Sequence, residues 1–371
     1  MPGVHGMGPT LTFDGPLHVV WNGKRLRYFA GTDYHRLAFE PEVQHAVQLA
    51  LQQQGLSSGG SRLTTGNNAT LVQLETLLAR FFGVEDALVV GSGYLANLIL
   101  LQTLRPDFDV IIADEQAHAS LLDAARAVQL PVSFFKHRDV ESLQHTLNHI
   151  ANPRRALVVT DGIFAARGEV APLGDYWKAI AAVGASLLVD DAHGMAIAGE
   201  RGRGTWETFG LSAENLYITG TLSKGFGVFG GVILATHALK QRIVEQSAAF
   251  VGHTPMPVPV IAGAAAAVQF LTEHRERVQR VQQAARWVKQ HLADVGYTVP
   301  QDAIPIISIA FPEAERVRQF RDYLLDAGVF PPFNQYPGAP AGGHFRFVVT
   351  SRHTEDDMHQ FVEILKRFRN A

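Results

Sequence analysis

Between Asp86 and Ala235, short runs rich in Val, Ile and Leu recur, separated by amphipathic or small-residue stretches long enough for a helix. Ala87–Val90, Val110–Ala113, Val132–Phe135, Ala156–Val159, Ser186–Val189 and Leu216–Thr219 read as buried strands. Tyr94–Leu104, Ser120–Val128 and Tyr176–Val183 read as helices between them. A strand followed by a helix returns by a crossover, so neighbouring strands run parallel and helices cover both faces. The expected fold class is α/β, a large domain with a mostly parallel sheet flanked by helices. Sheets of this kind bind ligands beyond the carboxyl ends of their strands, so the residues just after each apolar run are where chemistry is to be sought.

The last third has a different pattern. A long helical stretch over Pro257–Leu292 precedes a strand at Ile306–Phe311, a helix near Glu313–Ala327, a strand at Phe345–Thr350 and a helix over Glu355–Phe368. This is an α+β order, and it suggests a smaller C-terminal domain. The division expected is an N-terminal segment at 1–45, a large domain at 46–252 and a small domain at 253–371. With 371 residues, 47% of them hydrophobic, the chain can bury a substantial core. Its net charge of −3 contains no long run of one sign, which argues against nucleic acid or a polybasic membrane contact. The absence of cysteine rules out disulfides, thiolate metal sites and cysteine nucleophiles. No apolar run approaches the roughly 20 residues that span a bilayer, and Met1–Pro16 is unlike a signal peptide. A cytoplasmic metabolic enzyme is expected.

Four sites follow apolar runs. Gly91-Ser-Gly-Tyr-Leu-Ala-Asn97 opens a helix, and a Gly-containing turn at a helix start suits a phosphate, although many such turns bind nothing. Asp190-Asp191-Ala192-His193 places two carboxylates at a buried strand end, where they need partners. Capping or salt bridging explains them, and a metal site is an alternative. Lys224 lies between a hydroxyl-rich turn and a Gly-rich one in apolar surroundings, which favour the neutral amine able to form an imine. His118, at a helix start, taken alone is a capping residue. Together they make a different case. A strand-end carboxylate, a His three residues later and a lysine 34 residues beyond the carboxylate form a pyridoxal 5'-phosphate (PLP) constellation.

These residues resemble the α-oxoamine synthases of PLP fold type I. The resemblance runs from about Tyr28 to Phe368 and is carried by Gly59-Gly-Ser-Arg62, Ser92–Asn97, His118–Asp123, Ala171-Pro-Leu173, Val189–Gly194, Gly202-Arg-Gly204, Thr221-Leu-Ser-Lys224, Arg346 and Ser351-Arg-His-Thr354. It implies Lys224 as the Schiff-base lysine, Asp190 as partner of the pyridine nitrogen, His118 on the ring face and His193 on the ring hydroxyl. It also implies Gly93, Tyr94 and Thr221 at the phosphate, and Thr254 reaching the neighbouring subunit's phosphate in a homodimer with interfacial active sites. Arg346 would bind the amino-acid carboxylate, for which a guanidinium fork is suited.

Several positions depart from the family pattern. Thr32 stands where Asn is usual, with His35-Arg36 in place of Leu-Gly. Leu71 replaces a His, Asp161 a Glu and Ala165 a Ser, and Tyr336-Pro-Gly-Ala-Pro340 rewrites the stretch before Arg346. The activity implied is condensation of an amino acid with an acyl thioester, from CoA or a carrier protein, with loss of carboxylate. Alanine with a long acyl chain is the first expectation. The alternative is another fold type I reaction on an amino acid: transamination, aldol cleavage or simple decarboxylation. The departures leave the cofactor residues in place and alter positions near the substrates, Thr32 among them.

Overall fold

The computed structural model describes residues 8–212, 214–335 and 342–370. It opens with a small antiparallel sheet, β1 (Thr12–Phe13), β2 (His18–Trp21) and β3 (Lys24–Arg27), followed by helices α1 (Pro41–Gln54) and α2 (Ala69–Phe82). Then come β4 (Asp86–Val90), α3 (Gly93–Leu104), β5 (Val110–Asp114), α4 (Ala119–Ala127), β6 (Val132–Phe135), α5 (Val140–Asn148) and β7 (Ala156–Asp161). A two-stranded strap, β8 (Ile163–Phe164) and β9 (Glu169–Val170), leads to α6 (Leu173–Val183), β10 (Ser186–Asp190), α7 (Thr205–Thr208), β11 (Leu216–Thr221) and β12 (Gly231–Ala235). After α8 (His237–Gln246), α9 (Ala248–Gly252), α10 (Val258–Glu273) and α11 (Glu276–Asp294), the chain ends with β13 (Ile306–Ile309), α12 (Ala314–Asp326), β14 (Phe333–Asn334), β15 (His344–Val348) and α13 (Glu355–Asn370).

The central sheet has the order β4-β12-β11-β10-β7-β5-β6. Strands β6, β5, β7, β10 and β11 pair in parallel, and β12 alone runs against both of its neighbours. Both faces are covered, and successive strand residues enter opposite cores. Ala87, Val89, Val158 and Leu187 join one apolar cluster; Leu88, Val90, Leu157 and Leu188 join the other. This two-sided burial explains runs without polar alternation. It also leaves the carboxyl ends of β4, β5, β7, β10 and β11 at one edge, where each sequence-derived strand-end site falls.

The single helix expected over Pro257–Leu292 is two, α10 and α11, broken at His274–Arg275. The break separates two burial tasks. The apolar face of α10 joins the core of the large sheet against α1 and α2. That of α11 buries Ala284, Val288 and Leu292 with Phe345 and Phe347 of the small sheet. Packing therefore groups α10 with the large sheet, although the sequence reading begins the small domain at 253. The small sheet, ordered β13-β15-β14, is antiparallel. Its other face buries Ile306 and Val348 with Tyr34, Ile163 and Ile197, so Arg346, on that same face of β15, is presented to the strap and the large sheet. Tyr336–Pro340 lies outside the described residues. Among the described residues no helix is long and apolar enough to cross a membrane.

Candidate active site

Parallel register brings the acidic strand ends together: Asp190 pairs with Asp161 of β7 on one side and with Thr219 of β11 on the other. Asp190 is buried and, among the described residues, has no ion pair. Instead its carboxylate accepts the Asn97 side-chain N–H at 2.7 Å and the Ala192 backbone N–H at 3.1 Å. Both contacts are N–H donors and neither carries a charge, so the site is open to a positive partner. Asp191 points elsewhere. It accepts the backbone N–H and hydroxyl of Thr205 at 2.6 and 2.9 Å, is pushed up to about 7 by burial, and is wrapped so closely that a Cβ on Gly162, Gly194 or Gly204 would meet it. The two acids therefore divide: Asp191 caps the start of α7 through Thr205, and the pair does not converge as metal ligands would. Among the described residues no group of three or more His, Asp or Glu forms a metal cluster.

Lys224 follows β11 in a turn held by Gly225 and Gly227: a Cβ on the first would strike the Met195 carbonyl, and one on the second the Asp33 carboxylate. The amine is half-buried and has no hydrogen bond or ion pair among the described residues. Burial lowers its pKa to about 8, with Arg346 adding and Asp190 and Asp161 opposing. It is thus poised between ammonium and the nucleophilic amine. Asp161 is held well above the usual carboxylate range by burial and by the charge of Asp190, while its oxygen accepts the His118 backbone N–H at 2.8 Å.

His118 is the N-cap of α4, and its Nδ1 accepts the Ser120 backbone N–H at 3.2 Å, so the capping role expected of it alone is real. Capping does not exhaust it, because the ring sits among Asp190, Lys224 and Asp123. His193 is buried, with Nδ1 2.7 Å from the Tyr34 hydroxyl, and the same hydroxyl accepts an Arg346 N–H at 3.4 Å. Because a guanidinium only donates, the Tyr34 hydrogen is free to go to His193 Nδ1, leaving the ring hydrogen on Nε2. Burial, then the charges of Lys224 and Arg346, keep His193 neutral. Arg346 also donates from Nε to the Ala165 carbonyl at 2.7 Å. That anchor uses backbone, so the Ser-to-Ala departure at 165 does not remove it.

Gly93 begins α3 behind the Ser92 cap, and a Cβ there would lie 3.0 Å from Thr221, so glycine permits the helix start to sit against the end of β11. The Thr221 hydroxyl donates to the Gly230 carbonyl at 2.7 Å, closing the lysine turn. Tyr94 is exposed and its hydroxyl bonds Asp123 at the rim. Thr254 is exposed and Thr32 half-buried; neither side chain has a hydrogen bond among the described residues, so the chain by itself does not bring them onto the others. Sequence reasoning missed Tyr34, Asn97 and Ser120. Asn97 and Ser120 were inside quoted motifs, and only their burial beside charged groups singles them out.

This set fits PLP: a buried carboxylate with no ion pair among the described residues for a pyridinium, a half-buried lysine with no partner among them for an imine, and a close helix start with a hydroxyl for a phosphate. The comparisons agree. Residues 32–365 match the aminotransferase class I and II family. The 8-amino-7-oxononanoate synthase of Alkaliphilus metalliredigens is 31% identical over 367 residues, covering 98% of this chain and 93% of the relative. A putative 8-amino-7-oxononanoate synthase of Desulfovibrio desulfuricans is 34% identical over 360 residues, covering 96% and 93%. The Sphingomonas wittichii serine palmitoyltransferase structure superposes with a TM-score of 0.91 at 28% identity, covering 98% of this chain and 93% of that one. A serine palmitoyltransferase from S. paucimobilis, solved with PLP and myriocin bound, gives 0.91 at 26%, covering 97% and 92%. The chain belongs to the aminotransferase class I and II family and, within it, to the PLP-dependent α-oxoamine synthases, acyltransferases of PLP fold type I.

Proposed function

We propose that this enzyme joins the α-carbon of alanine to the carbonyl carbon of a long acyl thioester, releasing thiol and carbon dioxide and leaving an α-amino ketone. The observation that carries the reading is Asp190, buried with no ion pair among the described residues, on the same strand edge as Lys224, which has no hydrogen bond or ion pair among them either. PLP, when bound, supplies an electron sink for the carbanion formed at the amino acid's α-carbon. Lys224 would hold it and, as a free amine, take the α-proton. Asp190 would face the pyridine nitrogen, His193 would donate its Nε2 hydrogen to the ring hydroxyl, and His118 would lie on the ring face. Gly93, Tyr94 and Thr221 would hold the phosphate or border it. Arg346, fixed by Ala165 and Tyr34, would hold the amino-acid carboxylate, near Thr32.

The same reading makes the enzyme a homodimer, with Thr254 acting across the interface. Exposed Leu49, Leu51, Leu56, Leu63 and Val72, on and around α1 and α2, supply apolar surface for a partner subunit. It also places the enzyme in the cytoplasm, by kinship with synthases. The test is a screen of amino acids crossed with acyl-CoA and acyl-carrier thioesters, read by product mass. Alanine consumed only with a thioester, giving an amino ketone, supports the reading. An amino acid consumed equally without thioester would replace it with transamination, aldol cleavage or decarboxylation.

A further inference from the structure

Four buried side chains, Thr219, Asn97, Asp190 and Ser120, and the exposed His118 form a branched hydrogen-bond chain beneath the site. The Thr219 hydroxyl lies 2.6 Å from Asn97 Oδ1; Asn97 Nδ2 lies 2.7 Å from Asp190 Oδ2 and 3.0 Å from Ser120 Oγ; Ser120 Oγ lies 2.7 Å from His118 Nδ1. The direction of every hydrogen follows from donor chemistry. A carboxylate only accepts, so the Asn97 NH2 faces Asp190, and its carbonyl must accept from Thr219. An amide nitrogen only donates, so Ser120 Oγ accepts from Asn97 and has its one hydrogen left for His118 Nδ1. The Ser120 backbone N–H reaches the same nitrogen at 3.2 Å, which makes Nδ1 an acceptor from two sides and puts the ring hydrogen on Nε2.

From this geometry we infer that Asn97 is a positioning residue: its two N–H donors hold Asp190 in place as a carboxylate and, through Ser120, hold His118 as the neutral Nε2–H donor. The inference rests on the PLP reading for what Asp190 and His118 do, but the network itself is a property of the chain. Asn97 and Thr219 are both fully buried, so no water substitutes for either partner at low cost. The chain has one weak joint. Without the incoming Asn97 N–H, the Ser120 hydroxyl can turn and accept from a protonated His118, so the imidazolium becomes easier to form. The charged groups around that ring are Asp190, Lys224 and Asp123, with Asp161 on its backbone N–H; Ser120→Ala leaves every contact of these groups in place, whereas Asn97→Leu also frees Asp190.

The measurement is made first on the cofactor-free protein, labelled with 15N-histidine, with the His118 signals identified by their loss in His118→Gln. Wild type should show Nδ1 without a proton and Nε2 with one. Ser120→Ala and Asn97→Leu should each raise the proton affinity of His118 by about tenfold, the scale of one lost hydrogen bond. The double variant should fall short of the sum of the two, because both act on His118 through one hydroxyl and Asn97 acts besides on Asp190. In the loaded enzyme, Thr219→Val should lower kcat with little change in the amino-acid KM, since Arg346 is untouched, and Thr219→Ser should restore it. Should Asn97→Leu fail to fold, the Ser120 and Thr219 variants decide the matter. An unprotonated Nε2 in wild type, an unchanged His118 titration in Ser120→Ala, or a Thr219→Val loss that Thr219→Ser does not recover would each overturn the inference. The His118 titration does not involve PLP, so a failed cofactor assignment would leave it standing.

Discussion

Asp190 and Asp191 are neighbours with the same side chain, and the end of β10 sends them to opposite tasks. Asp191 meets Thr205 and a wall of glycines, while Asp190 meets only N–H donors and has no ion pair among the described residues. That difference makes Asp190 the position to change. Asp190→Asn should retain PLP but lose turnover by roughly 100-fold, the usual scale for a preorganised electrostatic contact. Near-normal turnover, measured beside bound-cofactor absorbance, would move the role to another group. Arg346 is tested by Arg346→Lys, which keeps the charge and loses the fork that Ala165 and Tyr34 now aim. Amino-acid binding should weaken by about 2 kcal/mol with cofactor absorbance unchanged. Equal dissociation constants in a titration of both proteins would take Arg346 out of the site.

At the scale of elements, β-strands and helix caps were the most readable features. Central strands β4, β5, β6, β7, β10 and β11 fall on the apolar runs read from sequence, because a strand buried on both faces has no polar positions to blur the pattern. Thr354 stands just before the helix read over Glu355–Phe368 and caps it. It accepts the Asp357 backbone N–H at 3.1 Å while Asp357 accepts that of Thr354 at 2.8 Å, a reciprocal cap on α13. Thr354→Ala should cost about 1 kcal/mol in denaturant unfolding, with Thr354→Ser recovering most of it. A second prediction concerns His137, which ties the end of β6 to Asp114 and Glu169. Burial opposes its charge, but the two carboxylates outweigh burial and raise its pKa to about 9. Its folded pKa thus exceeds the unfolded value, so this stabilisation is whole below pH about 6.5 and is lost as pH rises through about 9. The loss is at most about 3 kcal/mol. His137→Gln should flatten the stability profile across that window; an unchanged slope would show that His137 does not contribute to it.

At the scale of the whole molecule, Lys224 is the group whose chemistry the fold most changes. Its neutral form is the one that captures an aldehyde, and burial brings that form within reach near pH 8. The rate at which cofactor-free protein takes up PLP should therefore rise with pH and level off just above about 8. Borohydride should then fix the cofactor on the peptide bearing Lys224. A rate still climbing steeply at pH 10, or label on a different lysine, would contradict the assignment.

Sequence by itself determined what is local: the apolar runs, the turns and hydroxyls after them, and the spacing of Asp190, His193 and Lys224 within one stretch of chain. These are legible because strand burial, capping and turn formation depend on neighbours a few residues apart. The tertiary structure alone decided which groups share a partner. Tyr34 reaches His193 across 159 residues, Asn97 reaches Asp190 across 93, and Arg346 reaches Ala165 across 181. No periodicity encodes such a meeting; it follows from strand order, which sets β10 between β7 and β11, and from the face of β15 that packs on the strap. The break between α10 and α11 has the same origin, since a helical pattern is blind to which of two cores each half will enter.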